Sequence, residues 1–543
     1  MRSDSTPGWC ALSIEADCPI DSFGSHDSKA KKPRRRDNPT HSIEPPVEGQ
    51  FVLRFVVPAR EIDALTAAVR LEQAHERRCL ATGFDTADGR LAACGVFLSL
   101  CKRGSEWLQI AVATTSDFAR LLVHEVDIPA PRRGMTPMLM PQLHDDTEVG
   151  VIMRLALGNA SSDMEDGQPL VETFAIDAKR LACRVCVDGA VVEIARVTGM
   201  ITTADASMPL LEFEARLVSG PLAVLFKVAQ AWSARHGMFL SAETDGERGA
   251  RLAGGHPDGY PAAAVLPRAP FADGADFVRA TLDSCLAQIV ANAGAVVDGS
   301  QDWNVIHQLR NGLERLRTAI AALNRTGGLA DTWEPVLKRI FQELAIHRGA
   351  PALRAPLIQE MRAAGLAYAL GSAHPREMRG ASAIVQDAEF QCTLLAILAY
   401  RHAPAPLFKP DHGTLQQMHK HFATELEARR DRLANGPGKL DSLDRRRRAS
   451  RHLDHLYRFA TFVSPLYETP KVESFLARCR HAQDALTLAF EHGSGLEALE
   501  DDVEAGAGAK LARRWLKARL VDDSRACESL VRRVGKAVPF WVD

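Results

Sequence analysis

The chain has 543 residues, 46 % of them hydrophobic and 25 % charged, with a formal net charge of −2. That length implies two or three domains, and that composition excludes collagen-like, coiled-coil and wholly disordered chains. The near-neutral total hides a division: residues 1–265 carry a net −7, whereas the rest carry a net +5 and 11 of the 18 histidines. A basic, histidine-rich half points to an anionic partner.

Residues 1–48 are rich in Ser, Asp and Pro and read as a disordered tail. Its run Lys29–Arg36 holds six basic residues in eight, a pattern shared by solvated tails, import addresses and nucleic-acid contacts. The tail has acidic Asp4, Glu15, Asp17 and Asp21 and no long apolar core, which argues against a secretory signal. No run approaches the roughly 18 apolar residues of a membrane span. The eleven cysteines are scattered, and the close pair Cys183 and Cys186 has no second pair to complete a zinc site. These features place the protein in the cytoplasm.

From residue 50 to about 218 the pattern has period 2, in stretches such as Gln50–Val57, Gly95–Leu100, Arg184–Ile194 and Leu211–Leu217. Short helical patterns lie near 59–72 and 220–236. Residues 241–273 are rich in Gly, Pro and Ala and read as a linker. Residues 275–535 show 3–4 apolar spacing. The expected fold is α+β and multidomain. A tail at 1–48 precedes an antiparallel β barrel at 49–238, a linker at 239–273 and an all-α bundle at 274–538.

Alternation on Glu212-Phe-Glu-Ala-Arg216 places Glu212, Glu214 and Arg216 on one face. Two carboxylates a pleat apart can hold a hard divalent cation, and a guanidinium beside them can grip a phosphate oxygen. A solvated strand face has the same pattern. Glu125-Val-Asp127 repeats the acidic spacing.

These stretches, with Phe51-Val-Leu-Arg-Phe and Gly83-Phe-Asp-Thr-Ala-Asp-Gly-Arg-Leu91, resemble the CYTH domain of triphosphate tunnel metalloenzymes over residues 50–235. The resemblance implies eight antiparallel strands closed into a tunnel, with acidic residues for metal and basic residues for triphosphate. On it, Glu125, Asp127, Glu193, Glu212 and Glu214 would hold Mg or Mn if the tunnel is active. Arg54 and Arg216 would meet triphosphate. The departures are specific. The family opens with Glu-x-Glu-x-Lys, where this chain has Gln50, Val52 and Arg54. Further expected charges are Ser99, Cys101, Val112 and Val197. A valine cannot coordinate magnesium, and phosphoryl transfer relies on metal and cationic clamps. The expectation is a degenerate tunnel that turns over triphosphate very slowly or not at all and needs no cofactor.

In the second half, Ile306, Leu309, Leu313, Leu316, Ile320 and Leu323 form an apolar stripe. His307, Arg310, Glu314 and Arg317 follow one step round, with Arg315 near the opposite edge. Val305-Ile-His-Gln-Leu-Arg-Asn-Gly-Leu-Glu-Arg-Leu-Arg317 resembles the signature of the CHAD domain, a helical module associated with inorganic polyphosphate. The family's internal duplication implies two similar halves. Its echo here is Arg445–Arg458, with Arg448, Arg451, His455 and Arg458 on one face, while Arg348 survives from a third element. The implied polyphosphate site is His307, Arg310, Arg315, Arg317, Arg348, Arg448, Arg451 and His455.

A row of Arg and His suits a flexible polyanion with no bases to read. The leading expectation is a polyphosphate-binding protein, located at polyphosphate granules and not at a membrane. The alternatives are a metal-dependent inorganic triphosphatase and a nucleic-acid binder. Against the last, only 6 % of the chain is aromatic, leaving few rings for stacking.

Overall fold

The structure, a computed structural model, describes residues 50–542 except 116, 131–134, 159–168, 255–261, 264, 268–269, 301, 325–331, 348–349, 367–379, 404–413, 437 and 501–506. The expected tail and its 29–36 basic run lie outside the described residues. The chain divides into two compact units, 1–257 and 258–543.

The first unit contains β1 (Gln50–Val56), α1 (Ile62–Leu71), β2 (His75–Thr86), α2 (Arg90–Ala93), β3 (Val96–Arg103), β4 (Glu106–Thr114) and β5 (Arg120–Ile128). It continues with α3 (Glu148–Leu157), β6 (Leu170–Val187), β7 (Ala190–Thr202), β8 (Ser207–Ser219), α4 (Leu222–His236), β9 (Phe239–Ser241) and α5 (Asp245–Ala253). Eight antiparallel strands run in the order β5-β4-β3-β2-β6-β7-β8-β1, and β5 pairs β1 to close the barrel. Closure leaves no exposed edge on those eight strands. The Asp188-Gly189 turn between β6 and β7 has both residues at positive φ, 46° and 76°, as a two-residue hairpin requires.

Strand parity sorts the side chains. Leu53, Phe55, Phe213, Val192 and Ile194 are fully buried on the outer face, and Phe213 stacks on Trp232 of α4 at 5.3 Å. The opposite face, directed into the barrel, carries Arg54, Glu214, Arg216 and Glu193, which lie opposite one another in register.

The segment expected as linker instead begins with β9, which pairs with β1, and with α5. A capping box explains the helix: the Thr244 hydroxyl accepts from Glu247 N–H while the Glu247 carboxylate accepts from Thr244 N–H. Its Leu252 joins Phe174, Ile176, Val197, Ile201 and Leu210 in an apolar cluster on the inner face. Gly249 permits this approach, since a Cβ there would lie 2.5 Å from the Phe174 ring.

The second unit is helical: α6 (Gly274–Val297), α7 (Trp303–Asn324), α8 (Trp333–Glu343), α9 (Ala350–Ala363), α10 (Ala381–Val385) and α11 (Ala388–Arg401) precede α12 (Leu415–Asn435), α13 (Leu443–Val463), α14 (Thr469–Glu500) and α15 (Ala507–Gly535). α6 packs on α7, α10 and α11, while α12 to α15 pack on one another and α13 also meets α7. Phe277 of α6 reaches Phe422 of α12 and Phe462 of α13, with ring centroids 6.4 and 5.5 Å apart, so the two helix groups share a core. Among the described residues, only α6 is long and apolar enough to cross a membrane, and 67 % of its apolar window is buried in the unit.

Candidate functional site

The barrel lumen holds a chain of alternating charges. Glu214 accepts from Arg180 Nε at 3.2 Å and has Arg54 Nε at 4.0 Å. Burial pulls its carboxyl upward, but Arg180 and Arg54 outweigh this and hold it below the usual range. Glu193 accepts from Arg180 at 2.9 Å and Arg216 at 2.7 Å and is held low in the same way against its burial. Arg216 also donates to Gln50 Oε1 at 3.4 Å, so the residue in place of the expected opening glutamate is held by a guanidinium.

Glu212 differs. It is fully buried, and burial pushes it well above the carboxylate range despite Arg248 Nη1 at 2.6 Å. Neither of its oxygens makes a well-oriented hydrogen bond. Asp245, at the start of α5, interacts with it and is raised by the same desolvation.

The structure therefore brings together Arg54, Glu193, Glu212, Glu214 and Arg216, and adds Arg180 and Arg248, which sequence reasoning missed. Arg180 is legible only through register, since it shares its face with Val197 opposite. Arg248 lay in the presumed linker. Glu125 has a bidentate partner in Arg103 at 2.9 Å, and Asp127 is exposed. Among the described residues no three His, Cys, Asp or Glu side chains converge as a cation site. Of the five carboxylates expected as metal ligands, Glu125, Glu193, Glu212 and Glu214 each face an arginine, so as they stand the five do not fit one shared divalent ion.

In the helical unit, α7, α13 and α14 line a cleft of about 1060 Å³ whose walls include His307, Arg315, Asp454, Tyr457, Arg458 and Asp484. Leu309, Leu313, Leu316, Ile320 and Leu323 are buried as the stripe predicts, which fixes the rotation of α7. Arg315 donates to Gln288 Oε1 and Ser284 Oγ, both at 2.7 Å, and His307 Nε2 lies 3.2 Å from Asn311 Nδ2. Glu314, which stands where the family has a basic residue, forms an ion pair with Arg458 across the cleft. Burial raises its carboxyl, and Asp454 adds to the rise against the pull of Arg458.

The remaining expected residues divide. Arg310 does not face the cleft. It is 7 % exposed, donates to Phe341 O at 3.3 Å, and places its guanidinium 4.3 Å from the Phe341 ring centroid. Arg317 pairs with Glu334 at 2.6 Å beside the same ring. The 3–4 row spans too wide an arc to look in one direction, and its far edge turns toward α8. Arg448 and Arg451 line an adjoining hollow of about 560 Å³ with Arg447, which shares Ser450 and Phe490 with the cleft. His455 lies near Arg458 and Arg429, and desolvation together with those cations pushes it below its ordinary value. Arg348 lies outside the described residues.

Residues 280–489 match the family model of the CHAD domain. The match runs from α6 into α14 and includes α7 and α13, whereas the α14 lining residues Phe490, Glu491, Ser494 and Gly495 fall beyond it. A crystal structure of the CHAD domain from Ricinus communis is similar at 17 % identity, with 52 % of this chain and 98 % of that chain covered and a TM-score of 0.36. A Hippeastrum protein, described as an adenylyl cyclase with a dominant triphosphatase activity, aligns at 15 % identity over 38 % of this chain and 96 % of its own, with a TM-score of 0.28. A Pyrococcus horikoshii protein aligns at 10 % identity over 36 % and 96 %, with a TM-score of 0.21. No curated protein matches the chain.

Proposed function

We propose that the helical unit binds inorganic polyphosphate along the α7–α13 cleft and that the barrel is a triphosphate-tunnel fold with little or no turnover. The observation that carries the binding reading is the convergence of His307, Arg315 and Arg458 on one cleft, continued by Arg447, Arg448 and Arg451 in the adjoining hollow. Basic groups from two helices that line one cleft suit a linear polyanion whose affinity comes from charge and counterion release. The CHAD match over the same helices supports the ligand class.

For the barrel, the supporting observation is internal neutralisation. Arg54, Arg180, Arg216 and Arg248 are each engaged by lumen carboxylates, so an entering triphosphate must break ion pairs to find its clamps. A triphosphatase is the second reading, favoured by the survival of acidic and basic groups side by side in one lumen.

Polyphosphate binding by the full chain should weaken steeply with salt. Arg448→Ala/Arg451→Ala should lower affinity about tenfold or more, and duplex DNA of matched charge should compete poorly. Equal competition by DNA would show a generic basic surface. Phosphate release from tripolyphosphate with Mg or Mn, compared with Glu214→Ala, decides the second reading: robust release lost in the variant would establish an enzyme.

A further inference from the structure

α14 and α15 run antiparallel: Leu499 shares a small core with Ala512, and His492 bonds Asp523 farther along. That register carries the third turn of α14 to the C-terminal end of α15. There Arg478 and His481 of α14, Arg532 and Arg533 of α15 and Lys536 just beyond it line a groove of about 590 Å³. It is separate from the α7–α13 cleft, with which it shares no lining residue. Its α15 half also falls beyond residues 280–489.

The charge content of this groove is one-sided. No carboxylate lines it, whereas Glu314, Asp454, Asp484 and Glu491 line the central cleft. Among the described residues none of the four cations forms an ion pair, and neither does His481. Elsewhere in the unit, Arg339, Arg401, Arg429 and Arg458 all do. The negative end of the α15 dipole accounts for Arg532 and Arg533 in its last turn. It does not account for Arg478 and His481, which the neighbouring helix brings to the same place.

We infer that this groove is a second anion site, taking linked phosphate groups of an inorganic polyphosphate chain. The ligand class rests on the polyphosphate reading of the central cleft; the location does not. Three guanidinium forks can each grip two oxygens of a phosphate, and the lysine adds a mobile point charge. No Phe, Tyr or Trp lines the groove, so His481 is the one ring it offers a nucleobase for stacking. Two separate sites on one unit would let a long chain bind at two points, raising its affinity above that of a short one.

The test titrates the full chain with tripolyphosphate and with long-chain polyphosphate. Wild type should bind tripolyphosphate at two sites, and Arg532→Gln/Arg533→Gln/Lys536→Gln should remove one. The same variant should reduce long-chain affinity at least tenfold. It should also flatten the log–log salt slope by about 2 to 3, at roughly 0.7–0.9 per phosphate no longer neutralised. Arg478→Gln, on the facing helix, should act in the same direction with a smaller slope change. All four side chains are exposed, so unchanged melting temperatures should accompany these losses. If the triple variant binds like wild type while Arg448→Gln/Arg451→Gln is weakened, the groove inference fails and the cleft reading stands. If the triple variant is weakened while the cleft variant is not, the groove stands and the cleft reading fails. Wild type that binds neither probe overturns both.

Discussion

Single carboxylates and histidines tune the helical unit. Glu314 holds Arg458 across the cleft, so it competes with any anion for that guanidinium. Glu314→Gln keeps the shape and removes the competitor. It should raise polyphosphate affinity about two- to tenfold, measured by calorimetric titration, in line with the modest worth of a partly exposed ion pair. His492 is 1 % exposed, bonds Asp523 at 2.6 Å and lies 3.1 Å from Glu360. Burial alone would push its imidazole down, but Asp523 and Glu360 outweigh burial and raise it. A folded value above the unfolded 6.5 means that its stabilisation is complete below pH 6.5 and fades as pH rises through the folded value. The melting temperature should therefore fall between mildly acidic and mildly alkaline pH, and His492→Gln should remove most of that slope. Losing the charged partner of two half-buried carboxylates should cost about 2 kcal/mol at pH 6. His455 works in the opposite direction: its depressed value leaves it neutral at pH 7, so it adds charge only below pH 6.5.

Elements were legible in the sequence where one periodicity ruled, and illegible where register or rotation decided. Period 2 marks β1 and β8, and the 3–4 stripe marks the buried side of α7. Which lumen residues meet was not legible: Arg180 reaches Glu193 and Glu214 only because β6, β7 and β8 pair in one particular register. α5 was hidden because its glycines and arginines read as linker, although Thr244 and Glu247 carried a capping signal. The flank of α7 misled for a geometric reason. Arg310 has the right spacing but lies on the side that packs against Phe341. Arg310→Ala should accordingly destabilise the unit by about 1–3 kcal/mol in chemical denaturation, through lost cation–π contact and stem packing. It should leave polyphosphate affinity within about twofold of wild type. A large loss of affinity at unchanged stability would return Arg310 to the binding face.

At the scale of the molecule, two units with separate cores carry opposite charge and different candidate ligands. Leu53, Phe55 and Phe213 anchor the barrel, whereas Phe277, Phe422 and Leu313 anchor the helices. Two cores of this kind should unfold in two transitions rather than one. A ligand that binds only the folded helical unit stabilises that unit alone, by about 2.7 kcal/mol when present at a hundred times its dissociation constant. For a unit of this size such a gain corresponds to an upward shift of roughly 5–10 °C. Scanning calorimetry of the full chain with long-chain polyphosphate should therefore move one transition and leave the other in place. Tripolyphosphate should move the barrel transition only if the lumen opens its ion pairs to admit it. Glu214→Gln assigns the transitions, because it removes the carboxylate beside Arg54 and leaves Arg180 to Glu193 alone, and so alters only the barrel's own melting. If polyphosphate moves the transition that Glu214→Gln perturbs and leaves the other in place, the anion binds in the tunnel and the helical unit is not its receptor.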